Sequence, residues 1–411
     1  MVVTVGRRWF WGGLRRADIR SDPWRPYAPV PTTEHDPAAI LFTSGSTGPA
    51  KGVLYEHGMF NAQVRYLHSH FGYSAEDVDL PTFPLFALFD AALGMTAVIP
   101  EMDFSRPGSV EPRKIIEPIG DHGVTHMFGS PALLDRVSRY GEDHGTSLPT
   151  LKRVMSAGAP VPPTVLERMH TLLGPDAEVH TPYGATEALP VASIGSREIL
   201  GETAAKTASG AGTCVGRPME GLDLRIIRID DGAITHWDDE LELPAGEIGE
   251  VTVTGAVVTR GYHDNPDATA LAKIAHGTAT RHRMGDVGYL DDSGRLWFCG
   301  RKAHRVVTTT RTLFTVPCEA MFNQHPRVFR TALVGVGESG RQRPVLCVEL
   351  ENRATRRHAT TLRGELLQIA ATAPITEDIT TVLFHPGFPV DARHNSKIGR
   401  EGLALWAAGR V

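Results

Sequence analysis

From Ala38 to about Gly184 short apolar runs alternate with longer amphipathic ones. AAILF precedes the helix-like EHGMFNAQVRYLHSHF, VTHMF precedes PALLDRVSRYGE, and KRVMSAG precedes PTVLERMHTLLG. A short apolar run followed by helical periodicity reads as a βα unit, and successive units bury both faces of their strands as a largely parallel sheet covered by helices. This order of elements predicts an α/β fold. At 411 residues the chain has room for an extended core and for roughly two to four domains.

After the Gly- and Ala-rich stretch from Ala204 to Gly212 the pattern changes to strands joined by turns: LDLRIIRI, GEVTVTG, and GYLDDSGRLWFCGR with its DDSG hairpin signal. A β-rich subdomain is expected to begin there. Beyond Arg301 come RTALVGVG, VLCVELE, the helix-like TLRGELLQIAA and TTVLF. The expected architecture is a large N-terminal domain, residues 1–301, with mainly parallel sheets plus the β-rich subdomain, and a small mobile α+β C-terminal domain, residues 302–411. No repeat at a fixed period is visible.

A hydrophobic share of 41%, a charged share of 22% and a net charge of −5 are ordinary for a folded soluble protein and give no electrostatic footprint for nucleic acid. No apolar run approaches the roughly 20 residues that span a bilayer, and the N-terminus lacks the order of a signal peptide, so a cytoplasmic location is expected, with membrane association left open. Cys214, Cys299, Cys318 and Cys347 form no CxxC pair and sit among apolar neighbours, as core residues do. None of the 18 histidines falls in an HExxH pattern.

Chemistry concentrates in four motifs. TSGSTGPAKG combines Gly45, Gly48 and Gly52 with the hydroxyls of Thr43, Ser44, Ser46 and Thr47 and the cation of Lys51. Such a loop can turn consecutive N–H groups onto an anion, although its spacing is not the GxxxxGK[ST] of P-loop nucleotidases, and a flexible surface loop has the same composition. In HTPYGATEALP, Tyr183 suits stacking on a base, Thr186 a phosphate, and Glu187 a magnesium ion. In RMGDVGYLDDSGRLWFCGRKAHRV, Asp286 suits the two hydroxyls of a ribose and Arg301 a ribose or phosphate, though each taken singly also reads as a turn residue and a surface charge. NSKIGRE places Lys397 in a turn far along the chain.

Taken together and in this order, TSGSTGPAKG, SAGAP, YGATE, MGDVGYL, GRK and NSKIGRE resemble the adenylate-forming (AMP-binding) superfamily of acyl- and aryl-CoA synthetases, peptide-synthetase adenylation domains and luciferases. The resemblance runs from about residue 36 to about residue 402. It implies an ATP- and magnesium-dependent ligase in which Thr43 to Lys51 hold the β- and γ-phosphates, while Gly158 and the residues from His180 through Tyr183 to Gly184 line the adenine and acyl pockets. By the same resemblance Glu187 would bind magnesium beside Thr186, Asp286 the ribose with help from Arg301, and Lys397 would bridge the carboxylate and the α-phosphate.

Three departures bear on the second half-reaction. The hinge position is Ala303, followed by His304. The glycine-rich loop that shapes a pantetheine tunnel is replaced by VVTTTRTLFTVP, whose β-branched residues suit a thiol arm poorly. FPLFALFDAALGM reads equally as a wall for a long acyl chain or as a buried core helix. LWFCGRKAHRV and DARHNSKIGRE look most like the β-lactone synthetases of olefin biosynthesis, which implies a long-chain 2-alkyl-3-hydroxy acid whose own hydroxyl closes a four-membered ring, with His304 or His394 as candidate bases. An acyl-CoA or acyl-AMP ligase acting on a fatty acid is the alternative, with CoA use left open, and the lipid chemistry implies assembly with other lipid-biosynthesis enzymes. Family members carry a longer stretch before the phosphate loop than the 42 residues here, so the chain is expected to begin inside the first subdomain. That expectation supplies a reading of another class, an inactive nucleotide-binding remnant.

Overall fold

The computed structural model describes residues 3–4, 13–15, 28–43, 49–351, 359–390 and 398–411. A single twelve-stranded sheet dominates it and changes character half-way across. The strands Thr96–Ala97, Val78–Pro81, His126–Phe128, Arg153–Met155 and Glu178–Ala185 lie side by side and parallel. Glu178–Ala185 then pairs antiparallel with Ala188–Gly195. From there the sheet runs antiparallel through Thr213–Pro218, Leu296–Arg301, Ala279–Leu290, Gly249–Thr254 and Asp223–Ile227, with Lys273–His276 also on Ala279–Leu290.

The helices Arg113–His122, Pro131–His144 and Pro163–Leu172 cover the parallel half. Their Ile115, Ile119, Leu133, Leu134, Val137, Leu166 and Met169 pack on Leu80, Met127, Val154 and Val179. Each such side chain, fully buried, contributes about 1.5–3 kcal/mol. The boundaries follow local chemistry. Helix Pro131–His144 starts where Ser130 Oγ accepts from the Leu133 N–H with Pro131 in the first turn, and stops at Gly145, whose φ of +62° suits a residue without a Cβ.

Two expectations need correction. AAILF is not part of the parallel sheet: strand Pro37–Phe42 pairs antiparallel with Gly52–Glu56 in a two-stranded sheet of its own. The antiparallel region begins at Ala188, before the Ala204–Gly212 stretch, and belongs to the main sheet. Ala204–Ala208 itself is helical. HTPYGA makes up the last six residues of the eight-residue strand Glu178–Ala185, drawn into extended form by its pairing with Ala188–Gly195.

After Arg301 the strands Val328–Val336 and Arg343–Leu350 pair antiparallel, and Thr381–Phe384 adds in parallel. Helices Thr315–Phe322 and Ala359–Ala370 pack on one face of this sheet and Arg400–Ala408 on the other. Arg400 donates to both carboxylate oxygens of Glu319, at 2.5 and 2.8 Å, tying the last helix to the first of these. All four cysteines are buried and free.

FPLFALFDAALGM forms a 3-10 turn, Pro84–Phe86, and a short helix, Ala87–Leu93. It is not a core helix: within Ala87–Leu93 the buried residue is Asp90, while Phe83, Leu85 and Leu88 are exposed. Among the described residues no helix is long and apolar enough to cross a membrane.

Candidate active site

Thr186 and Glu187 form the tip of the hairpin between Glu178–Ala185 and Ala188–Gly195. The hairpin closes tightly because residue 184 is glycine; a Cβ there would lie 2.6 Å from the Ala188 carbonyl oxygen. Several side chains then hold the tip. The Tyr55 hydroxyl donates to the Thr186 carbonyl at 2.6 Å, and Gln63 Nε2 donates to the Leu189 carbonyl at 2.9 Å. The Thr259 N–H and hydroxyl both donate to the Glu187 carbonyl at 3.0 Å. The Tyr262 hydroxyl donates to Glu187 Oε1 at 2.6 Å.

Burial pushes the Tyr55 hydroxyl up to about 12, and burial together with the Glu187 charge raises that of Tyr262, so both remain hydrogen-bond donors at neutral pH. The Lys51 ammonium stands 5.0 Å from the Tyr262 ring centroid, a cation–π distance. Thr43 and Lys51 meet at the base of the TSGSTGPAKG segment: the Thr43 N–H donates to the Lys51 carbonyl and Thr43 Oγ1 accepts from the Lys51 N–H, each at 3.0 Å. Thr43 and Lys51 therefore flank the loop at the place where Glu187 and Tyr262 meet. Ser44, Gly45, Ser46, Thr47, Gly48 and Lys397, together with His394, lie outside the described residues.

A second cluster forms around Asp286. Asp286 and Arg301 are direct cross-strand partners on Ala279–Leu290 and Leu296–Arg301, strands joined by the turn in which the Gly294 N–H donates to the Asp291 carbonyl. Asp286 Oδ1 accepts from Arg301 Nη1 at 2.9 Å and Oδ2 from the Tyr183 hydroxyl at 2.6 Å. Burial and the neighbouring Asp286 hold the Tyr183 hydroxyl protonated, and the Asp286 charge in turn raises Arg301. Each carboxylate oxygen keeps a second lone pair, which is what two vicinal hydroxyls require. Tyr183 is thereby a support for Asp286 through its hydroxyl, in addition to whatever its ring face meets.

The remaining site residues are placed as follows. Gly158 follows strand Arg153–Met155 with φ +96°, in a segment anchored where the Ser156 N–H donates to the His180 carbonyl at 2.9 Å. His304 ends the turn Lys302–His304, and its Nε2 lies 3.1 Å from Glu401 Oε1 on the last helix. Burial and the nearby Arg400 lower its pKa. The structure pairs His304 with Glu401, not with Glu187 or Asp286. VVTTTRTLFTVP folds into the small hairpin Val306–Val307 and Thr312–Leu313, whose turn is closed by Thr308 Oγ1 accepting from the Thr310 and Arg311 N–H groups.

Sequence reasoning missed Tyr55, Gln63, Thr259, Tyr262 and Lys273. Lys273 is buried, donates to Thr259, and is pulled down by desolvation to about 7. The signal that could have flagged it is a lysine inside the apolar run ALAKIA.

A model of the AMP-binding enzyme family matches residues 6–263. The chain belongs to that family. This AMP-binding enzyme is 50% identical to an olefin beta-lactone synthetase of Xanthomonas campestris pv. campestris over 99% of its own length and 73% of that protein's. It is also 50% identical to an olefin beta-lactone synthetase of Stenotrophomonas maltophilia, over all of its own length and 74% of the relative's. Its fold matches the solved amide bond synthetase McbA of Marinactinospora thermotolerans with a TM-score of 0.75 at 24% identity, over 96% of this chain and 73% of that one. A TM-score of 0.71 relates it to the O-succinylbenzoate coenzyme A synthetase of Bacillus subtilis solved with ATP and magnesium, at 20% identity over 90% of this chain and 70% of that one.

Proposed function

We propose that this AMP-binding enzyme activates the carboxylate of a long-chain 2-alkyl-3-hydroxy acid with ATP and closes it to a β-lactone, releasing pyrophosphate and then AMP. The observation that carries the reading is the 50% identity to two olefin beta-lactone synthetases across essentially the whole chain. The site is compatible with the first half-reaction. Asp286, buttressed by Arg301 and Tyr183, would take the ribose hydroxyls, and Thr43 to Lys51 would cradle the outgoing pyrophosphate.

Magnesium fits Glu187 by its chemistry: Oε1 is held by Tyr262, Oε2 has no protein partner among the described residues, and one carboxylate plus phosphate oxygens and water is a usual magnesium shell. Bound there, the ion would neutralise phosphate charge. Among the described residues no cluster of three or more His, Cys, Asp or Glu could hold a metal without such phosphates.

In the first step the substrate carboxylate oxygen bonds to the α-phosphorus and the bond to pyrophosphate breaks. Both reactants are anionic, so the Lys397 ammonium between them would stabilise and align the transition state. In the second step the 3-hydroxyl oxygen bonds to the activated carbonyl carbon, the bond to AMP breaks, and the hydroxyl proton passes to His304, His394 or the departing phosphate. Intramolecular attack needs no route for an external thiol, which agrees with a hairpin closed by its own threonine in place of a glycine-rich loop. We place the division between the adenylating body and the small domain carrying Lys397 at residues 301 and 302.

AMP and lactone are followed together, by nucleotide assay and mass spectrometry, with a synthetic 2-alkyl-3-hydroxy acid. AMP with lactone is the expected result, and Lys397→Ala should abolish both while retaining ATP binding. Acyl-CoA formed only when CoA is added would make the protein a ligase, and absence of AMP with any acid would make it a nucleotide-binding remnant.

A further inference from the structure

Lys273 stands where the helix Pro266–Ala272 passes into strand Lys273–His276, directly across from His282 on Ala279–Leu290. Its side chain points inward and the residue is only 8% exposed. An apolar side chain would fill this volume without the cost of burying an amine, so the amine needs a task. Its Nζ donates to the Thr259 carbonyl at 2.5 Å and to Thr259 Oγ1 at 3.1 Å. Thr259 is itself fully buried, and both its N–H and its hydroxyl end on the Glu187 carbonyl.

The donors run in one direction, from Lys273 to the Thr259 hydroxyl and from that hydroxyl to Glu187. Because Thr259 Oγ1 accepts from Lys273, its single proton is committed to Glu187. Two N–H donors of an amine meet two acceptors, which leaves Thr259 no freedom to turn. On its far side Glu187 meets the Tyr262 hydroxyl, and the Tyr262 N–H is held at 3.0 Å by Thr269 of the helix that ends just before Lys273. Main chain and carboxylate of Glu187 are thus fixed from the same short segment.

We propose that Lys273 is a positioning residue for the activation step, acting through Thr259 to fix the main chain at Glu187 and so to aim the carboxylate that receives magnesium. The inference rests on the reading of Glu187 given above.

Pyrophosphate release at saturating ATP and acid, and the rise in melting temperature of the ATP complex without acid, are each measured against magnesium concentration, with thermal unfolding of each ligand-free variant alongside. Lys273→Met and Thr259→Val should each raise the half-saturating magnesium concentration by about tenfold or more, the usual effect of losing a group that orients a metal ligand. The KM for the acid should stay within about twofold, since neither residue touches it by this account. Thr259→Ser, which keeps the hydroxyl, should restore the wild-type value, and the double variant Lys273→Met/Thr259→Val should be no worse than the poorer single one.

Thr259→Val conserves volume, so it tests the relay even if Lys273→Met does not fold. An unchanged magnesium requirement in Thr259→Val, or multiplying effects in the double variant, overturns the inference. Glu187→Gln separates the two levels: if it too leaves the magnesium requirement unchanged, the reading of Glu187 fails, whereas a shift in Glu187→Gln alone removes only the role of Lys273.

Discussion

The two halves of the twelve-stranded sheet bury different chemistry. In the parallel half the covering helices and strands meet through Leu, Ile, Val and Met side chains, almost without interruption. In the antiparallel half Glu250, Thr252, Lys273, Arg281, His282, Arg283, Asp286 and Arg295 are all buried, on three neighbouring strands and one connecting turn. Charge inside a protein is costly unless paired, and the arginines and carboxylates among these groups are paired. Arg283 meets Glu250, Arg281 meets Asp223, Arg295 meets Glu198, Glu202 and Asp291, and Asp286 meets Arg301. An apolar core tolerates small slips, but a buried ion pair works in one register only. The parallel half therefore acts as scaffold, and the antiparallel half fixes where Asp286 and Glu187 stand.

The sharpest way to break this contrast is to damage each half by a similar amount and compare the consequences. Arg283→Met removes bonds to Glu250 Oε2 and to the carbonyls of Gly232, Leu271 and Asp230. Breaking one side of such a buried pair costs about 3–5 kcal/mol. Leu133→Ala, in the middle of the apolar cluster, costs about 2–5 kcal/mol. Both should appear as lower denaturant midpoints. Below the unfolding transition Leu133→Ala should keep its KM for ATP, whereas Arg283→Met should raise it, because Asp286 lies three residues farther along the same strand. Equal KM values in the two variants would erase the distinction.

A smaller change tests the antiparallel half alone. Asp286→Asn keeps the volume but removes the charge that Arg301 and the Tyr183 hydroxyl face. Charge-assisted hydrogen bonds contribute about 1.5–3 kcal/mol each, so kcat/KM for ATP should fall by about 100-fold. The denaturant midpoint should move less than in either core variant. If stability falls and kcat/KM does not, Asp286 is a structural residue and the ribose binds elsewhere.

How much of this was legible beforehand follows the same division. The parallel half announces itself, since VTHMF, PALLDRVSRYGE and PTVLERMHTLLG carry their periodicity within single elements, and the helices and strands stand where those segments are. The antiparallel half is harder because its partners are distant along the chain. Nothing near Glu187 in sequence indicates that Tyr262 will reach its carboxylate, 75 residues away, or that Tyr55 will hold Thr186 across 131. Asp286 and Arg301 were readable as a pair of motifs, but their cross-strand contact depends on a register set by the turn at Asp291 to Gly294. The extension of Glu178–Ala185 through HTPYGA was missed for the same reason: its extended form comes from pairing with Ala188–Gly195, not from its own composition.

The parallel half is not free of buried charge: Asp77 is buried against His126 and Lys152, and a second pair, which lacks such a cation, supplies the smallest expected effect. Asp79 on strand Val78–Pro81 and Asp90 on helix Ala87–Leu93 are buried in the parallel half, and Asp79 Oδ1 and Asp90 Oδ2 have no hydrogen-bond partner among the described residues. Desolvation raises Asp90 to about 6 and, with the Asp90 charge added, raises Asp79 well above its ordinary value of 3.8. A raised carboxyl pKa means that the folded state keeps protons that the unfolded chain releases near 3.8. The stabilising contribution is therefore complete at acid pH, declines as the pH rises through about 6 for Asp90, and continues to decline above that for Asp79. Asp90→Asn, which cannot ionise, should flatten this decline: its melting temperature should match that of the wild type near pH 4 and exceed it by a few degrees at pH 8. An identical pH profile in the variant would mean that the two carboxyls reach water, and that the parallel half holds no buried charge of this kind.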